Sequence, residues 1–94
     1  MATLFVRHTV NDYAAWKRVY DEFASTRKEW GVTGAGVYRD PEEPDTLVVV
    51  HHFKDVDDAR AFVNSEDLHA AMANSGVKGQ PTIWITEDVE ETPY

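Results

Sequence analysis

The side chains of this 94-residue chain that could move protons near neutral pH cluster on two β-prone runs. Arg7 and His8 lie on the first, and the adjacent pair His51 and His52 lies on the second. A histidine can take or give a proton near pH 7, and an arginine beside it can hold the oxyanion that such a transfer creates. Neighbours on a strand point to opposite faces, so His51 and His52 cannot chelate one metal ion together. No His-x-His pair or carboxylate pair replaces that geometry, and the expectation is no metal site and no cofactor. The chain has no cysteine, which excludes disulfides, thiolate nucleophiles and cysteine metal sites. Gly34-Ala35-Gly36 has neither the spacing of a phosphate loop nor a helix after it, and no Ser/His/Asp signature is present. Trp84, set among threonines, suits a ring that lines a pocket or anchors an interface. Tyr38 and Tyr13 could offer phenols to a ligand.

The elements that position these residues follow from hydrophobic period. Thr3–Val10 alternates with Leu4, Val6 and His8 on one face and Phe5, Arg7 and Thr9 on the other. Both faces carry large apolar groups, which predicts a central strand. Asn11 or Asp12 caps a helix reaching about Trp30, with the stripe Tyr13, Trp16, Tyr20, Phe23 and Trp30 and with Arg27 filling one step. Its aromatics read as core packing, and Gly31 ends it. Val32–Arg39 alternates again, with Gly34 and Gly36 on one face. After a turn containing Pro41 and Pro44, Thr46–Phe53 returns as its hairpin partner and as the other central strand. Asp55 caps a second helical region striped by Val56, Ala59, Phe62 and Val63, and Ser65 restarts it before Leu68, Ala71 and Met72. Gly76 and Gly79-Gln80-Pro81 end that region, Thr82–Thr86 is the last strand, and residues 87–94 form an acidic tail. His69 reads as an ordinary helix residue.

The order β-α-β-β-α-β is the ferredoxin-like layout, an α+β fold in which a four-stranded antiparallel sheet has helices on one face. The first and third strands are expected side by side and parallel to one another, with Arg7, His8, His51 and His52 at similar height. With Leu4, Val6, Ile83 and Ile85 against the helices, Arg7, Phe5, Trp84 and His52 face a cavity on the opposite side. His52 is chosen over His51 because it shares a face with Val48 and Val50, whereas Leu47, Val49 and Phe53 suit helix packing. Residues 1–94 make one domain, and so small a unit covers only one sheet face, so a homodimer is expected. A net charge of −8 disfavours nucleic acid and anionic membranes. No run approaches the ~20 apolar residues of a membrane span, and Arg7 interrupts the N-terminus before any signal-length core, so a cytoplasmic location is expected.

Val10-Asn11-Asp12-Tyr13-Ala14-Ala15-Trp16-Lys17, Gly34-Ala35-Gly36-Val37-Tyr38-Arg39-Asp40, the turn with Pro44, and Phe53-Lys54-Asp55 leading into Ala59-Arg60-Ala61-Phe62 resemble the dimeric α+β-barrel proteins of the antibiotic biosynthesis monooxygenase type. The resemblance spans nearly the whole chain and implies two protomers packed sheet against sheet, each with a ligand cavity. It implies cofactor-independent oxygenation or cyclisation of an aromatic or polyketide-like molecule, held by a tryptophan and tyrosines, types that Trp84, Trp16, Tyr38 and Tyr13 offer; strand parity adds His52 and Arg7 as the catalytic pair and Phe5, His8 and His51 around the substrate. A non-catalytic binding or structural dimer is the alternative. Haem-degrading relatives use a helix histidine, which makes haem binding a minor alternative through His69 and Asn64, whose spacing departs from that pattern.

Overall fold

The computed structural model describes all residues, Met1–Tyr94. The elements run β1 (Ala2–Val10), α1 (Tyr13–Glu22), α2 (Ala24–Glu29), β2 (Gly34–Arg39), β3 (Thr46–Phe53), α3 (Val56–Val63), α4 (Glu66–Asn74) and β4 (Val77–Glu87). The sheet order is β2-β3-β1-β4 and every neighbouring pair is antiparallel. The ferredoxin-like arrangement and both central strands are as the sequence implies.

The first and third strands are not parallel. β1 and β3 run in opposite directions, with Leu4 opposite His51 and His8 opposite Leu47. A hairpin reverses the chain between β2 and β3, so β3 must oppose the direction that β1 and β2 share. The long first helix also divides. Phe23 closes α1 and opens α2, and Arg27 Nη1 donates to the Tyr20 carbonyl at 2.6 Å, satisfying one of the acceptors that α1 leaves open at its end. The last strand is longer than Thr82–Thr86, because Gly79 and Pro81 lie inside it. β4 is an edge strand, where a missing proline N–H costs no ladder bond; Gly79 takes φ +65°, and its pairing with β1 shifts register between Arg7 and Thr9.

Side-chain parity places Leu4, Val6, Leu47, Val49 and Phe53 under the helices, where they join Trp16, Ala59, Phe62 and Leu68 in the core. Asp12, Asp55 and Ser65 cap α1, α3 and α4 by accepting from the N–H groups of Ala14, Asp58 and Leu68. The opposite face of the sheet carries no helix.

Candidate functional site

The open face is a grid set by register. Arg7 stands between Val48 and Thr82, Phe5 between Val50 and Trp84, and Thr3 between His52 and Thr86. Phe5 and Trp84 stack with ring centroids 5.1 Å apart. Gly36 leaves room for the ring of Tyr38, which folds across the place a Cβ would take, whereas a Cβ at Gly34 would meet His52 only in ordinary contact. Arg7, Trp84 and His52 therefore share a face but occupy three successive rows, each about 7 Å from the next. Their convergence on one space was an expectation of parallel strands, and the antiparallel register removes it. Arg7 is instead paired with Asp40 at 3.3 Å. Asp40 also accepts from the Glu42 and Glu43 N–H groups, and these bonds, with Arg7, hold its carboxyl below the usual range. His52 borders an open groove of about 470 Å³ beside the C-terminal tail. Thr3 Oγ1 donates to Asp88 Oδ1 at 2.7 Å and lies 3.3 Å from His52 Nδ1. With the Thr3 proton spent on Asp88, Nδ1 must be the donor to Thr3, which in the neutral ring is the tautomer that leaves Nε2 as acceptor.

A second, more apolar space lies on the other side of the sheet. A cavity of about 50 Å³ between β1, β3 and the helices has Val6 and Val49 as its floor, with His8 and His51 both on its wall. The two histidines come from adjacent strands and sit two rows apart, one toward each end of that floor. His8 meets the edge of Trp16 at 5.7 Å, and His51 meets Phe62 at 5.4 Å. Both ring nitrogens of His8 and Nδ1 of His51 are buried without a hydrogen-bond partner. Burial lowers the pKa of His8; it also drives His51 down to about 4, helped by the charge of Arg27 and then by His52 and His8. Both rings are thus neutral at physiological pH. A buried polar atom left without a partner costs roughly 1–3 kcal/mol, so two such rings on one cavity wall are groups awaiting a partner.

Two further residues on this wall carry weight that their sequence context conceals. Arg27 is 93% removed from solvent and its guanidinium lies 3.8 Å from the Tyr20 ring centroid. The trace in the sequence is a cation standing in an otherwise aromatic helix stripe. Ser75 is buried at the end of α4 and bonds the Met72 carbonyl at 3.0 Å; nothing in its sequence context distinguishes it from an ordinary cap. Trp16 and Tyr20 are core residues, as their spacing implies, and line the cavity as well. Tyr13 stacks on Trp16 outside the cavity, under the guanidinium of Arg39. His69 is exposed, with Nε2 3.0 Å from the Val63 carbonyl, and no group of three or more His, Asp or Glu side chains is placed to hold a metal ion.

The profile of the antibiotic biosynthesis monooxygenase family matches residues 7–74. The chain belongs to that family. Solved structures share its fold over nearly full length on both sides. SnoaB, a cofactor-independent oxygenase from Streptomyces nogalater, is 14% identical with a TM-score of 0.79, covering 99% of this chain and 97% of its own. A Nitrosomonas europaea protein of unknown function is 23% identical with a TM-score of 0.75, covering 99% and 94%. A conserved protein from Methanosarcina mazei is 17% identical with a TM-score of 0.74, covering 94% and 92%. At these identities the likeness is one of fold. No curated protein matches the sequence.

Proposed function

We propose that this member of the antibiotic biosynthesis monooxygenase family binds a small aromatic molecule between its sheet and helices and oxygenates it without a cofactor. The observation that carries the reading is the pair of neutral, unpartnered histidines on one apolar cavity wall. His8 is the better proton carrier, because a base works best with a pKa near the operating pH and His51 is held far below it. In an activated methylene flanked by electron-rich rings, His8 takes a C–H proton and the carbanion adds to O₂. The peroxide oxygen regains that proton from the imidazolium. Loss of the remaining C–H proton with cleavage of the O–O bond then releases water and leaves a carbonyl. The substrate is the reductant and O₂ the oxidant, one oxygen atom entering the product and the other leaving as water. A low-dielectric cavity favours this chemistry by keeping bulk water from the carbanion.

A space of about 50 Å³ holds a few waters, whereas drug-sized ligands occupy roughly 300–1,000 Å³. Ligand entry must therefore displace wall residues, and Met72, unbranched and adaptable, is the residue on α4 best able to yield.

The test is oxygen consumption with a polyphenol panel. His8→Gln should slow turnover about 10²-fold or more while binding persists. Binding without oxygen uptake by the unmodified protein would make it a non-catalytic binder, and a cyclase would convert substrate anaerobically. A second reading keeps His52 as proton carrier on the open face, supported by its Nε2, which makes no hydrogen bond within the chain; Arg7, two rows away and paired with Asp40, is then not its charge partner. It requires a second copy to enclose His52, and His52→Gln then becomes the variant that loses rate. The assembly proposed is a homodimer through that face, with Phe5, Tyr38 and Trp84 at the contact.

A further inference from the structure

The two ends of the sheet–helix cavity differ in charge. At one end His8 faces Trp16, and at the other His51 lies within the field of Arg27. Arg27 has five N–H donors, and one of them is spent on the Tyr20 carbonyl. The ion pairs of the chain are Arg7–Asp40, Lys17–Asp21 and Lys54–Asp58, so this cation has no carboxylate partner although it is nine-tenths buried. Asp21 is near enough to favour its charge but is held by Lys17. Arginine stays protonated even when desolvated, and a buried cation is ordinarily paired. The cavity wall includes no Asp or Glu side chain.

We infer that the Arg27 and His51 end of this cavity is a seat for an oxyanion, so that the ligand is an aromatic acid whose carboxylate docks there. The inference rests on the cavity being the ligand site and adds which class of ligand it takes. A carboxylate accepts a guanidinium fork and one imidazole N–H at once, which answers Arg27 and one unpartnered nitrogen of His51 together. The ring then lies over Val6 and Val49 toward His8, walled by Trp16 and Tyr20. The helix-capping bond to Tyr20 engages Nη1 and the Tyr20 ring stacks on the guanidinium at 3.8 Å, while the other nitrogens have no protein partner and are not sealed from solvent, which leaves them open to a ligand. The chain as a whole is strongly acidic, so a preference for an anion has to arise from this local charge rather than from the surrounding field.

Benzoate and its neutral isostere benzamide are suitable probes, titrated into the full-length protein while the ring resonances of His8 and His51 and the Trp16 indole report cavity binding. Benzoate should bind at least about tenfold more tightly, the scale of one charge-assisted hydrogen bond, and Arg27→Met should bring the two probes level. Equal affinity in the unmodified protein, or a benzoate preference that survives in Arg27→Met, overturns the oxyanion seat while leaving the cavity as the ligand site. If neither probe moves the cavity resonances, the cavity reading itself fails and the seat with it. Should Arg27→Met not fold, Arg27→Lys keeps a charge without the fork. The preference should then shrink, and an undiminished preference rejects the assignment.

Discussion

At the scale of single residues, the histidines divide by strand parity into two kinds. His8 and His51 are hidden and neutral, whereas His52 is half-buried and hydrogen-bonded to Thr3. The hidden pair has a stability consequence whose sign is fixed. His51 titrates near 4 when folded against an ordinary 6.5, so the unfolded chain binds its proton first as pH falls. Stability should be independent of His51 above pH 6.5 and decline between that value and about 4, by about 3 kcal/mol for the full shift. Urea unfolding at neutral pH and near pH 4.5, for the unmodified chain and for His51→Leu, checks this. The acid-induced loss should be smaller in the variant, and equal losses would mean that His51 is not buried neutral. Arg27 shows why residue types alone were insufficient here. Its place in the aromatic stripe was visible, but a helix stripe does not reveal whether a cation caps a neighbouring helix, bonds a ligand or reaches solvent.

Secondary-structure elements were legible where a local rule acts. The caps Asp12, Asp55 and Ser65, the break before α4 and the β2–β3 hairpin all follow from side chains that compete for nearby backbone groups. The faces of β1 and β3 were legible because alternation sorts apolar residues, and it correctly sent His52 away from Leu47 and Val49. Heights along the sheet were not, since strand direction comes from connectivity and no residue of β1 encodes where β3 begins. That is why Arg7, Trp84 and His52 were expected at one height, whereas the open face itself was expected to hold the cavity because the helices cover only the other one. Two predictions belong to this scale. Ser65 Oγ donates to the Phe62 carbonyl at 2.6 Å and accepts from the Leu68 N–H at 3.1 Å, joining α3 to α4. Ser65→Ala should cost about 1–2 kcal/mol in denaturant unfolding, and a change of a few tenths would show that the joint relaxes freely. Met72→Ala should widen the cavity from the α4 side. Larger aromatic ligands should gain affinity over small ones, at a stability cost below the roughly 2–5 kcal/mol of a fully buried methionine because Met72 is partly exposed; a ligand-size profile identical to the unmodified protein would place the entrance elsewhere.

For the molecule as a whole, the helices cover one sheet face and leave Phe5, Tyr38, Val48 and Trp84 on the other, with Tyr38 61% and Trp84 39% exposed. Light scattering at micromolar concentration should give twice the chain mass, and Trp84→Glu should halve it by placing a charge within the contact. An unmodified protein that runs as a monomer would reject the face-to-face assembly. The register shift where β4 pairs with β1 bears on what else this sheet could join. Gly79 and Pro81 interrupt the outer rim of β4, and the rim on the far side is the six-residue β2, ended by Asp40-Pro41. Neither rim offers a long, flat row of unpaired amide groups, so neither is a good template for a strand from another molecule. Growth by rim-to-rim addition, the route to fibrils, is therefore obstructed at both ends, while stacking through the broad face closes after one partner. A crowded preparation of this protein should thus remain free of thioflavin-binding aggregates, and thioflavin fluorescence that rises with concentration would show that one of the rims is open after all.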